Sequence, residues 1–274
     1  MTGAICGDII GSVFEWHNVK SEGFALFCRE SRFTDDTVMN IAVADKLLNC
    51  ENKHGLKYYS STALEYAARY KQYYTRYPGA GFGQMFSDWA KSNDFAKQIS
   101  YGNGAAMRAV PIGYAFDNIN AVLKEARLSC VYTHNNNEAI KGAKAVAGCV
   151  FLANNGVVKN EISKFITNTI GYKLDFTING IRSEYNFNSR ANYSVPPAIR
   201  AFLESEDYES AVRKAISIGG DSDTIACIAG GIAHAYYKEI PKSIYDKCML
   251  MINGSMKTTV NEFCKKYNVA LNLK

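Results

Sequence analysis

The chain has 274 residues, 47% of them hydrophobic and 21% charged, enough apolar material for a buried core, which excludes disorder and fibre architectures. Its longest nearly unbroken apolar run, Ile225 to Tyr237, has 13 residues and contains two glycines and a histidine, too short to cross a bilayer. Lys and Arg exceed Asp and Glu by 31 − 26 = 5, a mild excess without a dense basic block that favours anions weakly and does not argue for nucleic acid.

The first residues, Met-Thr-Gly-Ala-Ile-Cys-Gly-Asp, carry no basic segment ahead of an apolar stretch, so they do not read as a secretory signal and the expected location is the cytoplasm. Gly3, Gly7 and Gly11 recur every fourth residue and would line one helix face where another backbone can come close. Each lowers helix propensity by about 1 kcal/mol relative to Ala, so a packing reason is expected. Asp8, Ser12 and Glu15 share another face of that segment. Val38, Ile41, Ala42 and Leu48 mark a second helix, and Tyr59 to Tyr74 and Asp88 to Ala96 are further ones. Ala139, Ala143, Val146, Ala147 and Val150 follow one helix face, as do Ile225, Ile228, Ala229, Ile232, Ala233 and Tyr236. Residues 168–194, rich in Asn, Ser and aromatics, read as an irregular excursion between helices with room for a short hairpin. Alternating strand patterns are scarce, no repeat is visible, and the expectation is one all-α domain over residues 1–274. The eight cysteines lie far apart without a C-x-x-C, which fits buried reduced thiols better than zinc ligands or nucleophiles.

Two short segments resemble each other: Thr34-Asp35-Asp36-Thr37 and Asp221-Ser222-Asp223-Thr224. Each precedes an apolar-periodic helix, and helix capping explains either one alone. Together they would crowd four carboxylates at two helix starts, which repel unless a cation lies between them. Carboxylates and threonine hydroxyls are hard oxygen donors suited to Mg²⁺ or Mn²⁺. Tyr77-Pro78-Gly79-Ala80-Gly81-Phe82-Gly83 follows no buried strand and is not a dinucleotide fingerprint, yet Gly81 and Gly83 would let backbone N–H groups approach a phosphate. Ser100-Tyr101-Gly102-Asn103-Gly104 before a helix start is a second natural anion site, with a plain tight turn as the alternative for each loop. His134 fits either a capping turn or a ligand contact, and Arg108 either a phosphate or a core carboxylate. His17, His54 and His234 read as structural or exposed.

In order, the segments GAICGDIIGSVFE (3–15), FTDDTVM (33–39), YPGAGFG (77–83), SYGNGAAMRAVPIG (100–113), TH (133–134), SVPPAIRAFLES (194–205) and SIGGDSDTIACIAGGIAHAYY (217–237) resemble the ADP-ribosylglycohydrolase family. The resemblance implies a compact orthogonal helical bundle with two magnesium ions in a cleft, manganese being a possible substitute, and ADP-ribose laid over them. It implies Thr34, Asp35, Asp36, Asp221, Asp223 and Thr224 as metal ligands and Glu15 beside the scissile bond. Gly81, Phe82, Gly83, Ser100, Tyr101, Gly102 and Asn103 would surround the diphosphate and neighbouring sugar, and His134 the ribose. Phe82 stands where many relatives carry tyrosine, so one hydroxyl contact is absent. The implied reaction is hydrolysis at C1″ of ADP-ribose through an oxocarbenium-like transition state, with Asp35, Asp36 or Glu15 as base. The acceptor is a protein side chain, arginine favoured, or a small ADP-ribose conjugate, handled by a monomer. A non-catalytic ADP-ribose binder or toxin-immunity protein on the same fold is the alternative, and so is a hydrolase of another nucleotide-sugar or phosphate ester at the same site.

Overall fold

Helices carry nearly all the regular structure of the described residues, 1–49 and 56–274 of this computed structural model. In chain order they are α1 (Thr2–Gly11), α2 (Asp35–Leu48), α3 (Leu56–Arg76), α4 (Gln84–Lys91), α5 (Gly104–Met107), α6 (Ile119–Cys130), α7 (Asn137–Asn154), α8 (Lys159–Lys164), α9 (Ile178–Arg182), α10 (Ala191–Leu203), α11 (Tyr208–Ser217), α12 (Ser222–Tyr237), α13 (Lys242–Met251) and α14 (Gly254–Lys266). The strands are two residues each, Glu239–Ile240 paired in parallel with Asn272–Leu273. The fold is all-α, as the periodicity predicts. Cys50 and His54 lie outside the described residues.

At the centre stands α12, buried from Ser222 to Ala235. Ile225, Ile228 and Ile232 are fully buried, each contributing on the order of 1.5–3 kcal/mol. Helices α1, α7, α10 and α11 pack around it. The glycine stripe of α1 is what lets the two backbones touch. A Cβ on Gly7 would collide with the Ala226 carbonyl, one on Gly3 with the Gly230 carbonyl, and one on Gly11 would lie 2.6 Å from the Asp223 Cα. Because α1 seats against the first turn of α12, Asp8 and Asp223 are drawn to the same place. One contiguous apolar cluster runs from Met1 to Val269.

Two elements differ from the sequence expectation. Helix α4 begins four residues before Asp88 and stops at Lys91, because Gly83 is its extended N-cap and Ser92 leaves the helix in an extended conformation. Residues 168–194 start in the end of a π-helical turn (Phe165–Ile170), hold the short α9 and irregular chain, and enter α10 at Ala191, with no hairpin among them. Their one ladder contact is an isolated bridge between Gly102 and Arg190. Of the described cysteines, Cys28 is exposed and Cys264 partly so, while the others are buried. No helix among the described residues is long and apolar enough to cross a membrane.

Candidate active site and metal centre

Helices α1, α2 and α12 bring their acids together at one point. Asp8, fully buried on α1, accepts the Thr34 hydroxyl at 2.6 Å, the backbone N–H groups of Thr34 at 2.9 Å and Thr37 at 3.1 Å, and the Thr37 hydroxyl. It thereby ties the N-terminus of α2 to α1. Thr34 caps α2, its Oγ1 accepting from the Asp36 N–H at 3.3 Å, so capping explains that threonine. Capping does not explain Asp221. Its side chain makes no capping bond to α12 and instead accepts from the Asn103 amide at 2.7 Å. Gly219 and Gly220, both with φ near +75°, turn the chain sharply into α12 in a conformation that favours glycine. Gly220 donates its N–H to Asn18.

Two nests of three carboxylates result, Asp8 with Asp36 and Asp223, and Glu15 with Asp221 and Asp223, each with oxygens within 4.8 Å of one another. Asp223 belongs to both. Among the described residues no Lys or Arg forms an ion pair with any of them. Asp36 accepts the Thr224 hydroxyl at 3.2 Å on Oδ2, while its buried Oδ1 has no partner. Burial, then the charge of Asp223, holds Asp36 and Asp35 well above the usual carboxylate range. Burial and Asp221 do the same to Asp223. Asp221 is pushed up to about 6 by burial, and Glu15, half-buried, to about 7 by burial and then by Asp223. An unpartnered carboxylate oxygen amid buried, mutually repelling acids is the environment a hard divalent cation relieves, so the donor set fits one. Asp8, with four donors on it already, acts as the hub that positions the others.

The cluster forms the floor of a cavity of about 490 Å³, within the range of small-molecule sites. One wall is the glycine loop before α4, where Gly81 at φ +104° lies beside Asp35. There Phe82 stacks on Phe86 with centroids 5.1 Å apart. Ser100, Gly102, Asn103 and His134 form another side, and Glu15, Trp16, Arg32 and Phe187 line it as well. Trp16 and Phe187, both exposed, stack at 5.7 Å.

A sequence model of the ADP-ribosylglycohydrolase family matches residues 1–271. The chain belongs to that family. It is a glycosidic-bond hydrolase of the ADP-ribosylglycohydrolase class. Its relatives include the ADP-ribosylhydrolase ARH3 of Mus musculus, 29% identical over 90% of this chain and 86% of the relative, and that of Homo sapiens, 28% identical over 90% and 87%. A solved ADP-ribosylglycohydrolase-related protein complex shares the fold, with a TM-score of 0.66 and 21% identity over 98% of this chain and 97% of that one.

Within this ADP-ribosylglycohydrolase the residues singled out in the sequence are distributed unevenly. Thr34, Asp35, Asp36, Asp221, Asp223 and Thr224 all line the cavity, as do Glu15, Gly81, Phe82, Gly83, Ser100, Gly102, Asn103 and His134. Tyr101 does not; its ring is 47% exposed and lies under the Arg190 guanidinium. Asn103 holds Asp221 and Ser194 through its amide, so its side chain serves the cluster. Arg108 also lines the cavity and, among the described residues, pairs with no carboxylate. It is buried, donating to the Ser129 carbonyl and the Thr133 hydroxyl, with its guanidinium 4.0 Å from the Tyr70 ring centroid. His17 is exposed and His234 buried. Asp8 has no role that the sequence alone assigns, although an acid inside the apolar, glycine-striped α1 is a signal: a buried carboxylate requires donors.

Proposed function

We propose that the chain releases ADP-ribose from an acceptor by hydrolysis at C1″, reversing ADP-ribosylation with the help of a divalent cation at the carboxylate cluster. The observation that carries this reading is the partnerless Asp36 Oδ1 among buried acids with which, among the described residues, no Lys or Arg forms an ion pair. Magnesium, with manganese as a substitute, suits an all-oxygen donor set, and two nests sharing Asp223 support a count of two ions. Thr34, Asp35, Asp36, Asp221, Asp223 and Thr224 would hold them. When bound, the cation supplies charge neutralisation and Lewis-acid polarisation.

The remaining steps fall to the chain's own groups. Glycosidic cleavage builds positive charge on the ribose, and carboxylate oxygens of the cluster that the cation does not engage would stabilise it. Glu15, half-buried in the cavity lining with its carboxyl pushed up to about 7, can hold or release a proton at working pH. Asp35 and Asp36 are the other candidates for the base. Gly81, Phe82 and Gly83 and the Ser100–Asn103 loop would receive the diphosphate and neighbouring sugar, with Tyr101 at the outer edge and His134 on the ribose. The relatives named ADP-ribosylhydrolase support this substrate class. The free thiols of the described cysteines suit a reducing compartment, which supports a cytoplasmic location.

Arginine is the favoured acceptor. Trp16 is 71% exposed beside Glu15, and its open face offers a π-surface to a planar guanidinium. ADP-ribose release from ADP-ribosyl-arginine, ADP-ribosyl-serine and O-acetyl-ADP-ribose, measured with magnesium, tests both levels of the reading. Fastest release from the arginine conjugate is expected; faster release from another overturns the acceptor, and no release from any overturns the function.

A further inference from the structure

Arg108 is an unusual buried charge. Its residue is 1% exposed, no acid pairs with it among the described residues, and Nε has no partner. A buried cation without a counter-ion is costly, and the guanidinium is spent on two oxygens, the Ser129 carbonyl at 3.1 Å and Thr133 Oγ1 at 2.6 Å. The same Oγ1 lies 2.9 Å from His134 Nδ1. We propose that Arg108 and Thr133 are positioning residues that fix His134 as the neutral Nε2–H tautomer, giving the cavity one uncharged donor reserved for an oxygen acceptor of the substrate.

Hydrogen-bond valence carries the argument. A guanidinium only donates, and a hydroxyl has one proton. With Arg108 donating to Oγ1, the Thr133 proton goes to Nδ1, the other polar atom in reach. Nδ1 is then an acceptor and the ring proton sits on Nε2. The reverse arrangement would load two donors onto one hydroxyl and leave its own proton unpaired in a site that is 4% exposed. A protonated imidazole is opposed by burial and by the Arg108 charge, which hold the ring well below its usual pKa.

The Nε2 edge faces two glycines. A Cβ at Gly104 would lie 3.1 Å from Nε2 and one at Gly102 3.6 Å from it, so the absence of side chains there keeps the donor open to the cavity. Resting on the proposed function, the acceptor is a hydroxyl or phosphate oxygen of ADP-ribose. A neutral donor takes that oxygen without competing as a cation for the nearby carboxylates.

Nitrogen NMR of ring-labelled histidine in the unliganded protein at pH 7.5 reads the tautomer directly. For His134, whose signals among those of the four histidines are the ones lost in His134→Ala, one unprotonated-type signal from Nδ1 and one protonated-type signal from Nε2 are expected. Thr133→Val should lose this fixed pattern and Thr133→Ser should keep it. ADP-ribose, titrated against each folded variant, should bind about 2- to 10-fold more weakly to Thr133→Val and normally to Thr133→Ser. An imidazolium, an Nδ1–H tautomer, or a pattern unmoved in Thr133→Val overturns the relay. A correct tautomer with unchanged ADP-ribose affinity in Thr133→Val overturns the donor role. If the tautomer is as expected and the unmodified protein binds no ADP-ribose, the relay stands and the functional reading falls.

Discussion

Removing divalent cations leaves Asp8, Asp35, Asp36, Asp221 and Asp223 facing one another in buried space, and stability then depends on whether they can take up protons. Asp221 is pushed from an ordinary 3.8 up to about 6, and Asp36 and Asp223 lie well above the usual range. In each case the folded chain binds the proton more tightly than the unfolded chain does. The metal-free protein therefore loses stability as pH rises past the unfolded value and stops losing it only above the folded one. For Asp221 alone the loss totals about 3 kcal/mol, about half of it between pH 5 and pH 7.5. That half corresponds to a fall in melting temperature of roughly 2–3 °C for a chain of this size, and the other acids add in the same direction. Magnesium binds the ionised cluster, so it should raise the melting temperature more at pH 7.5 than at pH 5. Thermal melts of EDTA-treated protein at both pH values, with and without magnesium, check this beside Asp221→Asn, whose shallower pH slope isolates the group. A metal-free melting temperature that rises from pH 5 to pH 7.5, with the same slope in Asp221→Asn, would refute the reasoning.

Other outcomes follow from the same geometry. Helix propensity alone would make Gly7→Ala stabilising by about 1 kcal/mol, but the collision with the Ala226 carbonyl makes it destabilising by about 1–3 kcal/mol or more, which denaturant unfolding measures. Gly11→Ala presses on the Asp223 backbone and should weaken magnesium binding in calorimetry; unaltered affinity counts against α1 as the positioning element. Asp35→Ala and Asp223→Ala should each abolish metal binding and activity together, and full turnover by either would remove the metal assignment. Glu15→Gln should lose at least about 100-fold in rate while keeping magnesium affinity, and an unchanged rate would remove Glu15 from the chemistry. Trp16→Ala should raise KM for the arginine conjugate by about 2- to 5-fold relative to the serine conjugate; equal effects on both would dissociate the rim from acceptor choice.

The helices were legible because their apolar periods are long: Ile225, Ile228 and Ile232 declare α12, and Ala139 to Val150 declare α7. The glycine spacing of α1 foretold a close backbone approach, since little else keeps three glycines in register on one face. The boundary of α4 was missed because Gly83 and Ser92, which set it, carry no periodicity. In the cluster, paired acids before two helices pointed to a cation, while Asp8 was overlooked because its partners, Thr34 and Thr37, are 26 and 29 residues away. Tyr101 and Arg108 show the other limit. Tyr101 packs under Arg190 outside the cavity, while Arg108, in the cavity lining, is held by Thr133, and both neighbours become adjacent only in the folded chain.

The central claim is that this chain cleaves ADP-ribose from an acceptor and needs a divalent cation at Asp36, Asp221 and Asp223 to do so. It is tested most directly by following ADP-ribose release from a purified conjugate in magnesium, after EDTA, and after magnesium is restored. Release in magnesium, its loss in EDTA and its return on re-addition are the predicted results. Release that continues unchanged in EDTA would contradict the account.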